Sequence, residues 1–212
     1  MVRKVFNSRE EAALQLVNKL KKYKDKKEAI IIALPRGGVV LGHILAKELN
    51  LPLDIMAPRK IGAPDNPELA IGAICEGRVF LNTNMVRMMG INSVFIEKIT
   101  EEEKKEEERR VQLYRKKKTP LDLKGKLVIL VDDGIATGAT IRVAIEAIRH
   151  HKPAKIVVAI PVASPDSIQA IKEEVKEVVC LHSPSEFMAI SQFYKEFPQV
   201  SDEMVIKLIQ GK

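Results

Sequence analysis

Val128-Ile129-Leu130-Val131 is an apolar run that ends at two adjacent carboxylates, Asp132 and Asp133. A strand that is apolar at every position, not at every second one, is covered on both faces. A loop of mostly small residues follows, Gly134-Ile135-Ala136-Thr137-Gly138-Ala139-Thr140. Beyond it Ile141, Ala144, Ile145 and Ile148 recur at helical spacing as far as His150. The order is therefore buried strand, acidic tip, small-residue loop, helix.

Such a loop has a definite chemistry. Small side chains let a ligand approach the backbone. Amides at a helix start have no intrahelical acceptor, and the helix dipole adds partial positive charge there. A phosphate monoester suits that place, and Thr137 and Thr140 add hydroxyl donors. Asp132 and Asp133 would repel a phosphate, but they accept hydrogen bonds from sugar hydroxyls, directly or through a metal ion. A phosphate on the loop and a diol at the acidic tip together describe a ribose 5-phosphate. Two other phosphate motifs fit less well. No Gly-Lys-Ser/Thr follows Gly138, as a Walker A loop requires, and the acids precede the glycines, unlike a dinucleotide fingerprint.

The rest of the chain alternates strand and helix. Asn7 or Ser8 caps a first helix with Ala13, Leu16, Val17 and Leu20 on its apolar face. Ala29 to Leu34 reads as a buried strand, Pro35 to Gly38 as a loop and Val39 to Leu49 as a helix. A strand at Leu51 to Ala57 leads into a long loop, Pro58 to Pro67, and then a hairpin turning at Glu76-Gly77. A short helix at Asn84 to Met89 precedes a long one from Asn92 or Ser93 to about Lys117, whose charged middle, Glu101 to Arg110, reads as a solvated face. Pro120 to Lys126 is a connector. After the central motif come a strand at Lys155 to Val162, a helix opened by Ser164-Pro165-Asp166, a strand at Glu177 to Leu181 and a last helix from Ser201. This alternation argues a doubly wound, mainly parallel α/β sheet in one domain over 1–212, with a small hood or lid region. The lid loop is expected near 59–82 and a C-terminal hood element near 182–212.

In an open α/β sheet ligands gather beyond the carboxyl ends of the strands. Besides the central motif, that rule selects Leu34-Pro35-Arg36-Gly37-Gly38, where glycines free the backbone and Arg36 offers a forked donor. It also selects Arg59-Lys60, two cations beside a Pro/Gly-containing loop.

Taken together, these strings resemble the type I phosphoribosyltransferases, over a span from about Phe6 to Ile209. The resemblance is to an uncharacterised branch of that family, and it implies binding of 5-phosphoribosyl-1-pyrophosphate (PRPP). Asp132 and Asp133 would hold the ribose 2- and 3-hydroxyls. Gly134, Ile135, Ala136, Thr137, Gly138, Ala139 and Thr140 would form the rest of the PRPP motif, with Ala136 to Thr140 wrapping the 5-phosphate. Arg36, Gly37 and Gly38 would form the pyrophosphate loop, whose cis peptide would fall at Pro35–Arg36. Arg59 and Lys60, with Asp132 and Asp133, would be the catalytic set. Mg2+ is the implied cofactor, with Asp132 and Asp133 as indirect ligands. PRPP and a nitrogenous small-molecule acceptor would be the partners, and the resemblance implies a homodimer.

Two features depart from the purine enzymes of the family. Ala136 stands where their carboxylate takes a proton from the base, and their lysine-plus-aromatic purine pocket has no recognisable counterpart in the tail. Phe187 reads equally as core or as a base-stacking ring. Of the histidines, His43, His150 and His151 read as structural, and only His182 lies where it could face the site.

A non-catalytic PRPP- or nucleotide-binding regulator is the alternative function. A nucleic-acid partner is the weaker reading of the net charge of +7, since no Trp, three Tyr and six Phe leave little for base stacking. No apolar run is long enough to span a bilayer, no signal-peptide apolar region follows Met1, and two isolated cysteines give no disulfide framework. A cytoplasmic setting is the expectation.

Overall fold

Ala29 to Ala33 pair in parallel, one to one, with Leu127 to Val131, so the two most apolar runs form the middle of one sheet. The computed structural model describes residues 5–115 and 121–211. In chain order its elements are α1 (Arg9–Leu20), β1 (Ala29–Ala33), α2 (Gly37–Leu49), β2 (Leu53–Ile55), β3 (Arg59–Ala63), β4 (Asn66–Cys75), β5 (Arg78–Leu81), α3 (Thr83–Met88), α4 (Ser93–Arg115), β6 (Leu127–Val131), α5 (Ala139–His150), β7 (Lys155–Val162), α6 (Pro165–Glu174), β8 (Glu177–His182) and α7 (Asp202–Ile209).

Five strands run parallel in the order β2-β1-β6-β7-β8. Their pleat deals side chains alternately to two cores. Ile31, Ala33, Ile129 and Val131 join α1, α2, α7 and the end of α4, through Leu16, Leu41, Val205 and Tyr114. Ile30, Ile32, Val128 and Leu130 join α5 and α6, through Ile145 and Ile171. Each fully buried Leu, Ile or Val contributes about 1.5–3 kcal/mol. That explains the unbroken apolar runs: both faces of each central strand are covered.

The segment between β2 and β6 departs from expectation. Pro58 to Pro67 is not a long loop. It holds β3 and the start of β4, two antiparallel strands that continue through the Glu76-Gly77 turn into β5. Ile61, Ala63, Ile71 and Ile74 make a small core there, packed by Phe95 and Ile99 of α4. The prolines sit where a strand tolerates them: Pro58 before β3, Pro64 at the turn, and Pro67 beside a register irregularity at Gly62. A side chain on Gly62 would meet the Pro67 carbonyl at 2.6 Å, so the bulge needs glycine.

Nor is the charged middle of α4 wholly solvated. Glu107 is 2% exposed and accepts the amides of Glu76 (2.5 Å) and Gly77 (3.1 Å), clamping the hairpin turn. At the end of α4, Arg115 donates to both oxygens of Asp54 at 3.1 Å, which pins the inserted arm to the edge of the main sheet. The expected helix end near Lys117 and the connector's start at Pro120 lie outside the described residues. The short helix, the hairpin, β7 and the Ser164-capped α6 match their expected places, and α2 begins two residues earlier than expected, at Gly37. Among the described residues no helix is long and apolar enough to cross a membrane.

Candidate active site

Backbone hydrogen bonds on both sides of Ile135 fix the start of the loop after β6. Ile135 N–H donates to Val162 O (2.9 Å), and Ser164 N–H donates to Ile135 O (3.1 Å). From below, the hydroxyls of Ser164 (2.8 Å) and Ser167 (2.7 Å) both donate to the Ala136 carbonyl. Gly138 has φ +76, a left-handed turn that a side chain would strain, and it opens α5 without a side-chain cap. Arg142 N–H bonds back to Gly138 O (3.0 Å). Among the described residues, the amides from Ala136 to Ile141 have no recorded protein acceptor. Six consecutive donors at a helix start, steadied from beneath by two serines, suit an anion. The cleft beside them measures about 180 Å³ and is lined by Asp132, by 134–141 and by Ile190. That is smaller than the roughly 300–1,000 Å³ of a pocket for a whole drug-sized ligand. A larger cleft of about 540 Å³ lies between α5 and β4–β5, and it meets the loop only at Ala139. The smaller one holds the uncommitted amides.

The two acids have unlike surroundings. Asp132 is half-buried and lines the cleft, and its Oδ1 accepts the Asp133 amide at 2.8 Å. Asp133 is 8% exposed, and its Oδ2 accepts from Arg9 Nε at 2.7 Å. Arg9 Nη1 donates to Pro198 O (2.7 Å), and its guanidinium lies 3.7 Å above the Phe197 ring. Tyr194 O–H donates to the Asp133 carbonyl (2.6 Å). Burial and the neighbouring Asp133 push the Asp132 carboxyl well above the ordinary carboxylate range. Burial also raises Asp133, while Arg9 opposes that rise. Sequence reasoning missed Arg9, Ser167 and Tyr194. Arg9 left one trace: it is a cation in a helix's first turn, where the dipole favours acids.

Gly37 and Gly38 are needed for close approach. A Cβ at Gly37 would lie 1.8 Å from Asp133 Oδ2, and one at Gly38 would lie 2.8 Å from Val131 O and 2.9 Å from Asp132 Cα. The start of α2 thus sits directly against the acidic tip. The Pro35–Arg36 peptide is cis, at the position the resemblance implied. The Arg36 side chain is 34% exposed and turns toward α7, with Nη1 3.7 Å from Asp202 Oδ1. The same oxygen accepts the Tyr114 hydroxyl at 2.5 Å. Burial, then that bond to Asp202, pushes the Tyr114 hydroxyl up to about 12.

Arg59 and Lys60 do not line the loop's cleft. They begin β3 and line a separate depression of about 460 Å³ against α4. There Arg59 Nε donates to Glu103 Oε2 at 2.7 Å. Thr137 and Thr140 are exposed at the mouth of the cleft, and Ile135 is buried beneath it. Phe187 packs on Phe193 with ring centres 5.1 Å apart, a core role. His43 Nδ1 lies 2.9 Å from Leu208 O, and His151 faces Glu76 at 3.5 Å. His182 is exposed at the end of β8, its ring 6.2 Å from Phe193.

A family model described as the phosphoribosyl transferase domain matches residues 7–196. A Mycobacterium tuberculosis H37Rv protein, provisionally named a phosphoribosyl transferase, is 37% identical over 207 residues, which is 97% of this chain and 46% of that protein. The chain spans about half the length of the curated relatives it matches. A crystal structure of a Thermus thermophilus protein is 34% identical, with a TM-score of 0.83 over 98% of each chain. A purine phosphoribosyltransferase from Pyrococcus horikoshii Ot3 shares the fold, at 17% identity and a TM-score of 0.51 over 92% of this chain and 99% of its own.

Proposed function

This chain belongs to the phosphoribosyltransferase family, and from that premise we propose that it transfers the 5-phosphoribosyl group of PRPP to a nitrogenous small molecule, releasing pyrophosphate. The observation that carries the reading is the row of uncommitted amides from Ala136 to Ile141, one loop away from an acidic pair at a strand tip. An anion cradle and a diol acceptor at that spacing suit a sugar phosphate better than either suits a free phosphate or a nucleobase.

The transfer breaks the bond from ribose C1 to a pyrophosphate oxygen and forms one from C1 to the acceptor nitrogen. The nitrogen's proton is then lost to solvent or to a base. The loop amides and the hydroxyls of Thr137 and Thr140 would hold the 5-phosphate, and the acidic tip would orient the ribose. Arg36, just past the cis peptide, would meet the pyrophosphate by leaving Asp202, to which it is only loosely held at 3.7 Å. Arg59 would reach it only by trading Glu103 for it, so its part needs a movement of the β3–β4 arm. Mg2+, when bound, neutralises charge growing on the leaving group. Asp132 suits that ion, which keeps most of its waters and takes one or two carboxylates beside substrate phosphates. Among the described residues no cluster of three or more His, Cys, Asp or Glu offers a closed metal cage.

The assay is pyrophosphate release from PRPP and Mg2+ over a panel of nitrogenous acceptors. At least one acceptor should turn over, and hypoxanthine and guanine should be poor. Ala136 offers no carboxylate, and general-base help is typically worth about 10²–10⁴-fold. Purine turnover above about 1 s⁻¹ would refute that part. PRPP binding without turnover of any acceptor would instead favour the regulatory alternative, and no PRPP binding at all would end the transferase reading and leave only a nucleotide-binding regulator.

A further inference from the structure

We infer that the two adjacent acids do different work: Asp132 is the ligand carboxylate, while the Asp133 carboxylate is committed to Arg9, a positioning residue that holds the acidic tip in place. The inference deepens the PRPP reading and rests on it for what Asp132 binds.

Four observations converge. Asp132 lines the cleft beside the amide cradle, and Asp133 does not. Asp133 Oδ2 ends 2.7 Å from Arg9 Nε, with both side chains about nine-tenths buried, at 8% exposure for Arg9 and 11% for Asp133. The space around that oxygen is closed on another side by Gly37, whose missing Cβ would fall 1.8 Å away. Arg9 is itself fixed by Pro198 O and by the Phe197 ring. A carboxylate so placed cannot turn to a sugar hydroxyl without leaving a buried guanidinium unpaired, which is a strongly destabilising change. Asp132 has no such tie. Its Oδ1 steadies the backbone by accepting the Asp133 amide, and among the described residues no Lys or Arg pairs with it as Arg9 pairs with Asp133. The tip is thus a ligand group mounted on a structural ion pair.

The test uses the full chain and four variants: Asp132→Asn, Asp133→Asn, Arg9→Met and the Arg9→Met/Asp133→Asn double. Two quantities are read for each, the thermal midpoint and the calorimetric affinity for PRPP with Mg2+. Asp132→Asn should keep the wild-type midpoint and lose about ten- to a hundredfold in affinity, the range for one charge-assisted hydrogen bond. Asp133→Asn should lower the midpoint. The double variant should recover part of both the midpoint and the affinity, because no unpaired charge remains buried. Structural damage alone would not restore affinity in that way. The inference is overturned if Asp133→Asn loses as much affinity as Asp132→Asn at an unchanged midpoint, or if the two single losses of midpoint simply add. Should Asp133→Asn not fold, the double variant decides: PRPP affinity within about tenfold of wild type supports the inference, and a larger loss overturns it. If the wild-type chain binds no PRPP, the proposed function fails, and the non-additivity of the midpoints still decides whether Asp133 is committed to Arg9.

Discussion

Gly38 has no room for a side chain, and the reason is the function proposed for its neighbour. The start of α2 lies so close to the end of β6 that a methyl group there would press on Val131 O and on Asp132 Cα. Gly38→Ala is therefore expected to cost about 1–3 kcal/mol by overpacking, and to weaken PRPP binding by displacing Asp132. Denaturant unfolding and a PRPP titration check both, and an unchanged affinity would show that the tip does not feel the contact. At this scale the strings that frame the candidate site were legible. The acidic pair and the glycines of both loops stand in the local sequence, and the place of the cis peptide came from the family resemblance. Arg9 and Tyr194 were not legible as site residues. They reach Asp133 from 124 and 61 residues away, and such distant pairing leaves no local pattern.

Among the elements, the parallel strands and their helices were readable because each buries a periodic apolar face. The β3–β4 pair was hidden by its prolines and by a bulge, although Ile61, Ala63, Ile71 and Ile74 carry the core that folds it. Those strands give the arm a core of its own, with Ile61 fully buried, so closure is expected to move the arm as a unit. The arm also carries a pH dependence. Burial raises the Glu107 carboxyl above its ordinary 4.5 despite its two amide bonds. An acid whose folded pKa is raised gives its full stabilisation below the unfolded value and loses it as pH rises through the folded one. Protection of the β4–β5 turn against hydrogen exchange should thus fall as pH rises above about 4.5, relative to Glu107→Gln, which cannot ionise. Parallel pH profiles for the two proteins would contradict this.

Across the whole molecule, α1 and the segment after β8 meet at Asp133, through Arg9 and Tyr194. A ligand that binds only the folded chain raises its stability by about 2.7 kcal/mol at a hundredfold excess over Kd. For a protein of this length that is a rise of roughly 5–10 °C. PRPP with Mg2+ should produce such a rise, and Asp132→Asn, binding about ten- to a hundredfold more weakly, should show at most about half of it; equal shifts in both proteins would place the ligand elsewhere. The bridge between Phe6 and Tyr194, with Arg9 and Pro198 beside it, has a consequence for biosynthesis. Arg9 is made before the loop after β6, and Tyr194, Phe197 and Pro198 are made after it. The loop therefore leaves the ribosome before its clamp can close, and a nascent chain carries the candidate site in unfinished form until the segment from Tyr194 to Pro198 emerges. A chain ended after Phe187 should keep the five parallel strands yet hold PRPP at least tenfold more weakly, the effect of losing about 1.4 kcal/mol of binding energy. Undiminished affinity in that shortened chain would mean that the closing clasp is dispensable.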